Sequence, residues 1–337
     1  MACAFAPTGA PNTLNPHSLE VNEKSCPVNL NTKSIGTDST EAITSTTEKP
    51  EHGPAIYGIN HDNFHRDFLK PDFDPKEMRN IVSEAILLAG GGVAILLQIA
   101  NPGVGAGVNE HSNFVYRPID RLRTTMTFVY CMAFGTPEEK KTIINMVHRA
   151  HDPVKGDGYT AHDVELQLWV AATLYAAGVD IYEKTYGKLN YATSKAVYNQ
   201  YAMLASSLRV PPEMCSKTQK DFWEYWDRSL TSFTISAHAK NVANDLLFNN
   251  RGLLWVRANL PLVRLFTAEW LPPNLRDAYG LKTSTSRRAL YKVYMVMIKT
   301  GYPIMPRFIR HFPRNYYMKD MRKRIKGMDH IIGPDMV

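Results

Sequence analysis

The richest chemical pattern in the chain is His148-x-x-His151-Asp152, followed by His162-Asp163. Residues three apart on a helix share a face, so His148 and His151 could both turn inward. His151 also stands at an expected helix end, beside Asp152-Pro153 and the Gly156-Asp157-Gly158 turn. There the helix dipole and a chain reversal could hold an imidazole toward a cofactor. The same residues could instead build a His/His-Asp metal site for hydrolysis, or be surface and capping histidines. A second pattern is Arg117-x-x-x-Arg121-x-Arg123-Thr124-Thr125. Arg121 and Thr125, four apart, present a guanidinium and a hydroxyl on one helical face, suited to a carboxylate, a propionate or bound oxygen. The alternative is a solvated basic turn. In Glu110-His111-Ser112 the carboxylate could act as a base or the imidazole as a ligand. His61-x-x-x-His65 has metal-binding spacing but lies outside the expected core.

These residues must be positioned by helices. Thr136-Pro137-Glu138-Glu139 is a helix start: a cap, proline at the first helical position and acids in the first turn. That helix should run to His151 and stop before Pro153. Thr160-Ala161-His162-Asp163 resembles a capping box, and the helix after it should end at Gly187. Asp74-Pro75 reads as a cap with proline behind it. Further helices are expected over 194–208, 217–234, 236–250, 253–269 and 284–300. The apolar stretch from Ala85 to Val108 is long enough to raise the question of a membrane span. Gly90-Gly91-Gly92, Gln98 and Asn101-Pro102 interrupt it, so it reads as a buried helix, a turn and a glycine-rich second segment. No run of alternating strand residues is evident. The expected class is all-α, with one large helical domain over 56–326, a disordered leader over 1–55 and a tail over 327–337.

Composition narrows the classes. The 337 residues are 44% hydrophobic, which excludes a disordered or collagen-like chain. Four cysteines without a CxxC exclude a disulfide scaffold, a zinc ribbon and covalent haem attachment. There is no phosphate-binding loop, dinucleotide fingerprint or nucleophile elbow. The net charge of +7 is unevenly placed. Residues 1–55 carry three lysines against six acids, whereas 287–326 carry twelve Lys/Arg against Asp320 alone. The body between them is close to neutral, which argues against a nucleic-acid-binding protein. A basic arm on a neutral body suits peripheral contact with a membrane surface, or is simply a solvated face.

Several blocks together resemble a known family, that of the MpaB-type oxygenase and the latex-clearing rubber oxygenases. Leu88 to Pro102 resembles its glycine-and-LLLQ block, Glu110-His111-Ser112-Asn113-Phe114 its E-H-S-x-F, and Arg121-Leu-Arg-Thr-Thr125 its R-L-R-x-T. His151-x-x-Val154-x-Gly156, Leu168-Trp169-Val170 and Leu271-Pro272 through Tyr279-Gly280 resemble later blocks in the same order. The resemblance covers roughly residues 76–315. It implies a globin-like helical core, a non-covalent b-type haem, dioxygen as co-substrate and oxidative cleavage of isoprenoid double bonds. By the same resemblance His151 would be the iron ligand, with Arg121, Arg123 and Thr125 at the cofactor. Glu110 matches an acidic residue taken as a base; Arg121 would polarise bound oxygen or anchor a propionate, and Thr125 would hydrogen-bond nearby, as the other catalytic candidates. Asn101, Ala171 and Val93 stand where many members have His, His and Arg.

The resulting expectation is a haem oxygenase acting on a hydrophobic, prenylated or isoprenoid small molecule, as a tailoring step in secondary metabolism. Two rivals differ in class. One is a haem-free isomerase or cyclase using Glu110 and His111; the other is a non-catalytic haem or lipid carrier. The chain is expected to be intracellular, cytoplasmic or peripheral to an internal membrane, with contact through 287–326.

Overall fold

The computed structural model describes residues 67–111, 118–248 and 254–327. The expected leader and tail, His61, His65, Ser112 and Arg117 lie outside them. The described chain is all-α. Its helices are α1 (Lys76–Val82), α2 (Gly91–Ala100), α3 (Pro102–His111), α4 (Pro118–Phe134), α5 (Pro137–His151) and α6 (Val164–Tyr186). They continue with α7 (Tyr191–Ser206), α8 (Gln219–Ser232), α9 (Ala237–Phe248), α10 (Leu254–Trp270) and α11 (Pro273–Ala278). The last are α12 (Thr285–Gly301), α13 (Arg307–Arg310) and α14 (Phe312–Lys326). Among the described residues the one sheet is a short hairpin, β1 (Lys155–Gly156) with β2 (Tyr159–Thr160), between α5 and α6.

Local chemistry sets most helix ends. Thr136 caps α5 in a reciprocal box: its hydroxyl accepts from the Glu139 N–H at 3.2 Å, and the Glu139 carboxylate accepts from the Thr136 N–H at 3.0 Å. Gly187 stops α6 at a φ of 96°, which only glycine adopts without strain. Two expected caps differ. Asp74 pairs with Arg79 at 2.6 Å instead of capping, and Pro75 takes the cap position. Asp163, not Thr160, caps α6, because Thr160 is held in the hairpin opposite Lys155 while the Asp163 carboxylate reaches the Glu165 N–H at 2.8 Å.

The core gathers around α6, which packs on α2, α7 and α12. This helix is long and apolar enough to cross a membrane, but 61% of its apolar stretch is buried inside the protein, as a core helix would be. The Ala85–Ala100 stretch bends by 68° from α1. Its regular helix α2 is ten residues long, against the ~20 that a span needs. Its glycines are packing devices. A Cβ on Gly90 would lie 1.9 Å from Ile181 Cδ1, and one on Gly92 2.3 Å from Thr267 Oγ1, so a side chain at either position would force Ile181 of α6 or Thr267 of α10 to shift.

Candidate active site

A cavity of about 150 Å³ lies where the C-terminal end of α5 meets α3, the hairpin and the start of α6. His151, the last residue of α5, forms part of its wall, facing Gly103, Val104 and Gly107 of α3 and Leu166 and Val170 of α6. A second cavity of about 90 Å³ is lined by the segment before α2, by α2 itself, and by α4 and α6. Thr125, Met126 and Leu122 of α4 belong to its wall. Gln98 and Arg121 line both cavities and so mark where the two spaces approach each other.

The electrostatics of His151 follow from its position. Burial, followed by the positive charge of neighbouring His148, Arg121, His162 and Arg209, pushes its pKa down to about 3. The imidazole is therefore neutral at any physiological pH, the form that donates a lone pair to a metal. Its Nδ1 is buried and has no hydrogen-bond partner. The sequence pattern left open whether His148 and His151 act together, and the structure separates them. His148 is fully buried and its Nε2–H donates to the Ser207 carbonyl at 3.0 Å, tying α5 to the end of α7.

Arg121 is withdrawn from bulk water, and that desolvation lowers its pKa to about 10, leaving it cationic at neutral pH. No carboxylate lines either cavity among the described residues. The Arg121 guanidinium contributes a positive group to a largely apolar wall. Arg123, expected beside it, lies outside both linings and pairs with Asp120 at 3.3 Å along the helix.

Glu110 also lies outside both cavities. It is exposed, and its carboxylate accepts from the Tyr159 hydroxyl at 2.6 Å and faces His238 Nε2 at 3.8 Å. Tyr159 lines the first cavity, so Glu110 reaches the site only through that phenol, whose pKa burial and the carboxylate push up to about 12. His111 lines the same cavity and donates from Nε2 to the Lys155 carbonyl at 3.1 Å. The two residues thus brace the hairpin, Glu110 through Tyr159 and His111 through the Lys155 carbonyl.

Asp152, His162 and Arg209 form a cluster directly behind His151. His162 Nε2–H donates to Asp152 Oδ1 at 2.9 Å, and its Nδ1 accepts from the Arg209 guanidinium. Arg209 holds a left-handed φ of 75°, unusual for a side chain of this size and consistent with a locally constrained turn. Asp152 is the C-cap residue of α5, so the cluster fixes the turn that presents His151. Among the described residues no three His, Cys, Asp or Glu side chains converge as a metal cage, so the His/His-Asp hydrolytic centre that the spacing allowed is not assembled.

Sequence reasoning did not assign Gln98, Gly103, Gly107 or Tyr159 to the site. Gln98 left a signal, as a polar residue inside an apolar helix. Gly103 and Gly107 are four apart and share the face of α3 toward the cavity. A Cβ on Gly107 would meet Tyr159 Cε2 at 3.3 Å and Val154 Cγ1 at 3.4 Å. Asn101 caps α3: its Oδ1 accepts from the Gly103 N–H at 3.0 Å. Ala171 lies in the wall of a separate aromatic cavity between α6, α7 and α8.

Residues 78–300 match the family described as ER-bound oxygenase mpaB/B'/Rubber oxygenase, catalytic domain. Two mycobacterial proteins are similar to the chain, the uncharacterized proteins Mb2261 of Mycobacterium bovis and Rv2237 of Mycobacterium tuberculosis. Each is 34% identical over 253 residues, covering 71% of this chain and 97% of the relative. No solved structure matches the chain.

Proposed function

Because the chain belongs to the mpaB/rubber oxygenase catalytic-domain family, we propose that it is a haem-dependent oxygenase. Its substrate in this reading is a hydrophobic, prenylated or isoprenoid small molecule, oxidised in a tailoring step of secondary metabolism. The observation that carries the proposal is the neutral imidazole of His151 in a cavity wall, with its buried Nδ1 unpaired. A neutral histidine with which, among the described residues, no carboxylates or thiolates converge suits a metal that brings most of its own ligands, as a haem does. Gly103 and Gly107 let α3 pack closely on Leu166, Val154 and Tyr159, so that the wall around His151 is narrow and apolar.

A b-type haem held there would supply the dioxygen chemistry. His151 would ligate its iron, and the Asp152–His162–Arg209 cluster would hold the turn that carries the ligand. Arg121 would neutralise a propionate or orient a polar group, and Thr125 would offer a hydroxyl from the second cavity. The apolar linings would admit a hydrocarbon substrate and exclude water. Oxidative cleavage of an alkene places both oxygen atoms of dioxygen in the two carbonyl products, so no external reductant is required. The haem-free alternative asks Glu110 and His111 to act as an acid–base pair, but Glu110 lies outside the cavities, engaged with Tyr159.

The purified protein should show a Soret band, directly or after haem is added, and His151→Ala should abolish it while circular dichroism stays helical. A folded wild type that stays colourless after haem addition overturns the haem reading. An unchanged band in the His151→Ala protein overturns the ligand assignment.

A further inference from the structure

The outer surface of the C-terminal helices is unlike the rest of the molecule. Ten of the thirteen large apolar side chains that are exposed among the described residues fall between 290 and 316. On α12, Tyr291, Tyr294, Met295 and Ile298 pack on the core, while Leu290, Val293, Val296 and Met297 are exposed. A helix that is apolar on both its inner and outer faces calls for a second apolar neighbour. The turn beyond α12 continues the pattern, with Ile304 82% and Phe308 73% exposed and Phe312 following them.

The fold holds this surface in place. The Tyr302 hydroxyl accepts from the Ile86 N–H at 3.0 Å, and Arg310 donates to the buried Glu84 carboxylate at 2.8 Å. Met318 and Met321 of α14 are buried in the core, and Tyr317 stacks on Tyr130 with ring centroids 6.1 Å apart. The apolar side chains are thus presented outward by anchored helices, not by a fraying terminus.

Charge selects the occupant. Between Asp277 and Asp320 the chain has no acidic residue, and Lys292, Lys299, Arg307 and Lys319 are exposed among the apolar side chains. A second copy of the chain would set cations against cations. An anionic bilayer meets both requirements, with acyl chains for the apolar residues and negative headgroups for the basic ones. We propose that α12, α13 and the start of α14 form a membrane-docking surface for anionic lipid. Ile304, Phe308 and Phe312 enter the headgroup–acyl boundary, and the lysines and arginines lie at headgroup level.

The test is flotation of the full chain with vesicles, a readout that depends on neither haem nor turnover. Vesicles of phosphatidylcholine alone are compared with vesicles carrying about one third phosphatidylserine. The chain should float with the anionic vesicles and not with the neutral ones, and added salt should release it. The Ile304→Glu/Phe308→Glu variant should lose at least about tenfold in binding with an unchanged thermal melt, since both positions face solvent. Lys292→Glu/Lys299→Glu, in which only charge is reversed, provides a second variant should the first fold poorly. Three outcomes overturn the proposal. One is no flotation with anionic vesicles at low salt, and another is undiminished binding by folded variants. The third is a dimer in solution that the first variant dissolves, without vesicle binding, which assigns the surface to self-association.

Discussion

The indole N–H of Trp169 donates to the Leu97 carbonyl at 3.0 Å. The same N–H reaches the Gln98 carbonyl at 3.2 Å, and the Tyr279 hydroxyl donates to the Leu96 carbonyl at 2.7 Å. The end of α2 is where a helix leaves carbonyls without helical partners. Trp169 and Tyr279, distant in sequence, add donors there beside the Asn101 N–H that reaches the Gln98 carbonyl at 3.3 Å, and so tie down the backbone that carries Gln98, which lines both cavities. Trp169→Phe keeps most of the ring and removes the donor. It should cost about 1–3 kcal/mol in urea unfolding and weaken haem retention. An unchanged unfolding midpoint would show that those carbonyls find other donors.

Gly107→Leu tests the cavity independently of its ligand. The new Cβ would press on Tyr159 and Val154, and the remaining side chain would occupy the space in front of His151. Leucine favours a helix over glycine by about 0.5–1 kcal/mol, which offsets part of the crowding. The expected protein is helical and fails to take up haem in a titration. Full haem occupancy would place the cofactor elsewhere.

Arg310→Ala should remove the main charge partner of Glu84. Both side chains are largely buried, and Glu84 would retain the Tyr186 hydroxyl at 2.8 Å, His311 at 3.3 Å and the Tyr302 hydroxyl, none of them a full cation. Breaking such a pair typically costs about 3 kcal/mol, because a buried carboxylate is left short of a cation. Glu84→Gln in the same chain should restore part of the loss. A single-variant cost below about 1 kcal/mol would mean that the pair is effectively solvated.

Asp180 on α6 carries a pH dependence of definite sign. Burial raises its carboxyl from 3.8 to about 6 despite the ion pair with Lys184. The folded chain therefore keeps a proton that the unfolded chain releases between these values. The group's contribution to stability is complete below about pH 4 and is lost as pH rises through 6. Asp180→Asn should accordingly be more stable than wild type at pH 8, by about 1 kcal/mol or more, and lose that advantage near pH 4. Denaturation midpoints at the two pH values check it; an advantage that grows toward acid would reverse the assignment.

Much of the architecture was legible because its causes are local. The box at Thr136, the stop at Gly187 and the break at Asp152-Pro153 each depend on residues within one turn of the event. The glycine cluster signalled close packing, though not that Gly90 serves Ile181 and Gly92 serves Thr267. The Thr160 cap failed because a hairpin too short to leave a periodic pattern had claimed that residue.

The sequence by itself determined an all-α chain, a histidine at the end of a capped helix, the family, and a basic C-terminal segment with Asp320 as its one acid. Only the tertiary structure decided which way the functional groups face. His148 and His151 differ by about 60° around α5, enough to send one to the Ser207 carbonyl and the other to the cavity. Arg121 and Arg123 part in the same way, and Glu110 turns to Tyr159. Periodicity sets the angles between residues on one helix. The rotation of that helix against its neighbours is set by how all of them pack, and it decides what each residue meets. The same holds for α12, whose outward apolar face became visible only once its tyrosines were seen to occupy the core.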